Sequence, residues 1–181
     1  MKKIIILLLL SSLNNSYAQN PKGYCVTKNN DTIFCEFDKT DDLFLLGEKK
    51  IKIINLKGEK ITFSPLELNS FTLSNIQGSQ FNYLSTIANS YKTFLLVEIE
   101  GKISVFKSYS RNMNGLIEKT LFCKDNLITS RETNFFNFRN WFGKFIEDYP
   151  ELYMKWMDSN NFYKKNEVFQ VIKLYNEHFK Q

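Results

Sequence analysis

The sequence predicts an α+β fold, an antiparallel β-meander forming a small barrel or roll and followed by three C-terminal helices. Three observations carry that expectation. Short runs of alternating or β-branched residues recur up to about residue 132, separated by Asn, Asp and Gly turns. From about Thr133 the apolar period changes from two to 3.6. A 43% hydrophobic share, with seven Gly and three Pro in 181 residues, excludes a disordered or collagen-like chain.

Residues 1–18 read as a cleavable signal peptide. Lys2 and Lys3 precede the apolar run 4–10, and Ser16-Tyr17-Ala18 offers small residues at the inspected positions, placing cleavage between Ala18 and Gln19. A membrane anchor needs roughly 20 apolar residues, whereas this run breaks at Ser11-Ser12 and Asn14-Asn15. No Cys follows the run to accept a lipid, and no later segment is apolar enough to span as a helix. The expectation is an exported protein, periplasmic or secreted, soluble after cleavage. Losing Lys2 and Lys3 lowers the net charge of +5 by two. The remaining bases are interleaved with acids, as at Lys57-Gly58-Glu59-Lys60, so no nucleic-acid surface is expected.

The body, residues 19–132, opens with residues 23–28 and 31–37 as a hairpin. A two-residue turn at Asn29-Asn30 pairs Val26 with Ile33 and separates an apolar face (Tyr24, Val26, Ile33, Cys35, Phe37) from a mixed one. Cys25 and Cys35 then fall on opposite sides. A three-residue loop would bring Cys25 opposite Cys35 but mix Thr27 into the apolar face; the first register is preferred. Residues 43–46 are a short apolar run, and 50–56 and 60–63 form a second hairpin around Lys57-Gly58-Glu59. Ser64-Pro65-Leu66-Glu67-Leu68 reads as one helical turn with Glu in the capping-box position. Residues 70–73 and 79–84 pair around Gly78. Residues 93–100 and 103–109 pair around Gly101-Lys102. Residues 111–118, containing Asn114-Gly115, read as an exposed loop, and 119–124 with 127–131 close the body around Asp125-Asn126.

Residues 133–181 read as a helical subdomain packed on the sheet. Phe138, Trp141, Phe142, Phe145 and Ile146 share one face of a first helix, and Asp148-Tyr149-Pro150-Glu151 starts a second ending near Met157. Asn166 caps a third whose stripe is Val168, Val171, Ile172, Tyr175 and Phe179.

The run Gly23-Tyr24-Cys25-Val26-Thr27-Lys28-Asn29-Asn30-Asp31-Thr32-Ile33 resembles the G-Y-x-V-T-x-N-x-D-T-I opening of a family of exported Bacteroidota-type proteins. The likeness continues through the Ser64 to Leu68 turn, the hairpin from Phe94 to Phe106, and the tail around Asp148 to Leu152 and Leu174-Tyr175-Asn176. It implies export, a β-rich body and a helical tail, and brings no activity with it. Some similar openings precede an outer-membrane β-barrel, whereas this chain ends in helices. Asn30, Cys25 and Cys35 depart from the family's usual turn glycine and cysteine-free strands.

Motifs for catalysis are scarce. One His and three scattered Cys cannot supply a four-ligand zinc site, and no cofactor is implied. Phosphate loop, dinucleotide fingerprint, HExxH and CxxC are all missing. Ser104-Val105-Phe106-Lys107 spells S-x-x-K on a strand, where that motif needs a helix start. Glu98 and Glu100 on one strand face suit solvation better than a glycosidase pair. Asp41, Asp42 and Glu48 lack calcium-loop spacing. Cys123 reads as a buried thiol, and His178 is its sole conceivable base. Among the aromatics of 135–145, most read as core, leaving Phe136 or Trp141 as a weak partner or ligand contact. The functional expectation is a non-catalytic protein-interaction module with an envelope protein as partner. The alternative is a protein that holds a glycan or apolar ligand in its small barrel.

Overall fold

Thr27 decides the register of the first hairpin. In the computed structural model, which describes residues 20–38, 50–74, 78–88, 91–113, 115–130, 136–158, 160 and 162–180, β1 (Lys22–Thr27) pairs with β2 (Thr32–Phe37) across a three-residue loop. Cys25 faces Ile33 and Gly23 faces Cys35, so the expected two-residue turn is corrected by one position, and the three-residue loop sets Cys25 diagonal to Cys35 rather than opposite it. Two local effects favour the longer loop. Asn30 adopts φ +65°, a left-handed conformation that Asn tolerates. The Thr27 hydroxyl accepts the Asn29 and Asp31 amides at 3.3 and 3.2 Å, so Thr27 serves the turn rather than diluting the apolar face. The one-residue slip turns every side chain over. Cys25, Ile33, Cys35 and Phe37 now share the inner face, while Tyr24 and Phe34 stack on the outer one, ring centroids 6.1 Å apart.

β3 (Ile51–Asn55) and β4 (Lys60–Phe63) form the second hairpin, with Gly58 at φ +81° in its turn. At residues 64–67 the expected capping box is present as a turn rather than a helix. The Glu67 carboxylate accepts from the Ser64 amide at 2.8 Å and its hydroxyl at 2.7 Å. That turn leads into β5 (Leu68–Ser74), which returns to pair with β1 instead of β4. Gly23 permits this contact: a Cβ there would sit 1.9 Å from the Thr72 carbonyl oxygen. β6 (Gln80–Ala88), β7 (Tyr91–Ile99), β8 (Ile103–Asn112), β9 (Gly115–Lys124) and β10 (Leu127–Ser130) continue as a second meander.

Among the described residues the strands form one ten-stranded antiparallel sheet, ordered β10-β9-β8-β7-β6-β5-β1-β2-β3-β4. The sheet is therefore two meanders joined along β1 and β5, and it is open, not a closed barrel. The apolar run 43–46 lies outside the described residues. The exposed loop expected over 111–118 is corrected too, because β8 and β9 stay paired as far as Asn112 and Gly115, with Arg111 opposite Leu116.

Both cores lie on one face. Phe37, Phe71, Tyr83, Phe94 and Leu96 belong to the first core, on the strands β2 and β5 to β7, with Phe71 stacked on Tyr83 at 4.5 Å. At the other end of that face, Ile103, Val105 and Phe122 receive the helices α1 (Phe138–Gly143), α2 (Pro150–Met157) and α3 (Val168–His178). α1 begins five residues later than about Thr133. α3 begins after a 3-10 turn, Lys165–Glu167, where the Glu167 carboxylate accepts the Lys164 amide at 2.6 Å, so the cap is not Asn166. The opposite face buries Leu95, Phe106 and Leu121.

Candidate functional site

Where the two cores meet, the sheet places a polar rung. A bulge between Val97 and Ile99 brings Ile99 opposite Val105 on the helix-covered side and leaves Glu98 beside Lys107. The Lys107 ammonium lies 3.5 Å from Glu98 and 3.2 Å from Glu118. Burial works against that ammonium, but its hydrogen bond to Glu118 and the charges of both carboxylates outweigh it and raise its pKa. Tyr109 is raised by burial and then by its hydrogen bond to Glu118, and burial pushes Tyr83 up to about 12. One lysine bridges two carboxylates, so the cluster carries one net negative charge and ties β7, β8 and β9 together at the seam.

A second polar cluster fixes α3 to the sheet. The Tyr175 hydroxyl reaches both Asp148 oxygens at 2.8 Å, and Lys124 and Lys102 reach them at 2.9 and 3.3 Å. Asp148 is opposed by burial, yet the hydrogen bonds from Lys124 and Tyr175 hold its carboxyl below the ordinary range. Asn176, buried beneath Gly101, accepts the Ile103 amide and donates to the Ile103 carbonyl, both at 2.8 Å. A single amide side chain thus extends the β8 ladder onto the helix.

The residues singled out from sequence are scattered. Ser104 and Lys107 are three apart on a strand and point to opposite faces. Glu100 lies beyond the end of β7 and does not join Glu98. Cys123 packs with Leu95, Phe106 and Leu121, where burial raises its thiol. His178 stacks on Tyr149 at 3.9 Å in the helical layer, so the two are not brought together. Phe136 is 97% exposed. Trp141 is half-buried, packed on Phe122 at 5.4 Å and Phe145 at 4.9 Å. Ala18, Gln19, Asp41, Asp42 and Glu48 lie outside the described residues. Among the described residues no group of three or more His, Cys, Asp or Glu gathers as a metal site, and no helix is long and apolar enough to cross a membrane.

The feature that sequence reading missed is the arm of β8 and β9. Among the described residues β10 pairs with Leu121 to Lys124, while residues 115–120 pair with β8 on one side. Among the described residues no strand pairs on the other. Met113, Leu116 and Ile117 on this arm are 104%, 54% and 37% exposed. The Asn-Gly dipeptide at 114–115 carried the signal, as a sequence pattern typical of hairpins. No family model matches the chain, and no curated protein or solved structure matches it.

Proposed function

We propose that this chain is an exported, non-catalytic protein-interaction module that takes an extended segment of an envelope protein along the outer edge of β9. One observation supports the reading. Among the described residues no strand pairs with the outer edge of residues 115–120, and Leu116 and Ile117 there are exposed. An unpaired strand edge templates pairing, and Glu118 and Lys119 are the charges this one carries. Strand addition supplies affinity through main-chain hydrogen bonds and specificity through alternate side chains, Leu116 on one face and Ile117 on the other. Phe136 is a separate exposed aromatic on the helical side, and Trp141, which holds the aromatic cluster together, is left out of the contact.

The test is crosslinking and affinity recovery of the tagged protein from its cell envelope, wild type against Leu116→Lys/Ile117→Lys. The reading expects one stoichiometric partner, recovered at least tenfold less with the double variant. Recovery that is equal for both proteins, or no partner at all, would overturn it.

A further inference from the structure

The corrected register of the first hairpin has a chemical consequence. Cys25 and Cys35 lie on the same face of adjacent strands, one diagonal apart, with their sulfurs 3.9 Å apart. The residue directly opposite Cys35 is Gly23, so no side chain stands between them. A disulfide needs 2.03–2.05 Å between the sulfurs, and because diagonal neighbours on paired strands are set wider than directly opposed ones, closure draws the two strands together locally. Cys25 and Cys35 are 0% and 4% exposed, beneath Leu68 and Phe71 of the first core. Cys123 sits on the opposite face of the sheet and is remote from both.

We propose that Cys25 and Cys35 are joined as an intrachain disulfide, formed while the first hairpin is still open to solvent and sealed when the core closes over it. The oxidant is a small or protein disulfide. One Cys thiolate attacks it, forming a mixed disulfide and releasing one oxidant thiolate. The second Cys thiolate then attacks the first sulfur, breaks the mixed bond and releases the other oxidant thiolate. Two electrons pass to the oxidant, and the two protons lost by the cysteines are available to its dithiol. The order follows from access. Disulfide exchange takes seconds or longer, so the bridge forms in the open or transiently reopened hairpin rather than in the closed core. The folded core leaves no path for an attacking disulfide.

The experiment refolds the full chain from denaturant in a glutathione redox buffer, then traps free thiols by alkylation under denaturing conditions. Trypsin cuts after Lys22, Lys28 and Lys39, so the bridge appears as residues 23–28 linked to 29–39. The expected result is one alkylated cysteine, Cys123, rising to three after reduction. Bridged protein should have a folding equilibrium constant about a hundredfold above the reduced form. Oxidised glutathione added to reduced, already folded protein should bridge it only as fast as the core opens. Three alkylated cysteines after refolding, glutathione left on either sulfur, or a bridge to Cys123 would overturn the proposal. The refolding result does not depend on export. A bridge formed in vitro and missing from cellular protein would count against the oxidising compartment, not the geometry.

Discussion

Asn176 shows how much one side chain holds. Its amide satisfies both backbone groups of Ile103, and a Cβ on Gly101 would lie 2.4 Å from that amide. Asn176→Leu should strand a buried donor and acceptor and cost about 1–3 kcal/mol in urea unfolding. Gly101→Ala should lose a similar amount by displacing the same side chain; a loss below about 0.5 kcal/mol in both would contradict this role. Asp148 carries the pH dependence. Its folded pKa lies below the ordinary 3.8, so its contribution is present above that value and lost as pH falls through the folded pKa. Asp148→Asn should therefore be less stable at neutral pH and show a flatter acid limb, read from thermal melts between pH 6 and about pH 2. The residue pattern made the helical stripe of Val168, Val171, Ile172 and Tyr175 legible. It could not reveal Asn176, because a polar residue on such a stripe reads as solvated until a backbone partner is placed above it.

At the scale of elements, turn chemistry separated what could be read from what could not. Asp125-Asn126 was legible as a hairpin turn, and both residues adopt positive φ, +52° and +64°. Asn126→Gly should relieve that conformation and raise stability by about 0.5–1 kcal/mol in denaturant titration. The first hairpin was misread because face purity was weighed without the turn's demand for the Thr27 hydroxyl. The arm was misread because polar residues around Asn114 resemble a loop, although cross-strand pairing continues as far as Asn112 and Gly115. Hydrogen exchange measures the arm directly. Outward-facing amides within 115–120 should exchange rapidly, while those of 121–124, paired on both sides, should be protected. Protection across the whole of β9 would mean that its edge is covered.

For the whole molecule, the α+β plan was visible in the change of period near Thr133. The strand order was not, because the return of β5 to β1 leaves no periodic trace and depends on close backbone approach at Gly23. One consequence is that the two cores are built on a common sheet through β7 and β8. Phe71→Ala, in the first core, should cost about 3–5 kcal/mol. It should lower the unfolding midpoint reported by Trp141 and Trp156, which both lie in the helical core. An unchanged tryptophan midpoint would show that the cores unfold separately.

The interaction reading is tested most directly by a photo-crosslinking residue placed either at Ile117 or at Phe136 of the protein in its own envelope. Adduct formation at Ile117 with a single protein, and little at Phe136, is the predicted result. Adducts at Phe136 alone, or at neither position, would contradict partner uptake along the edge of β9.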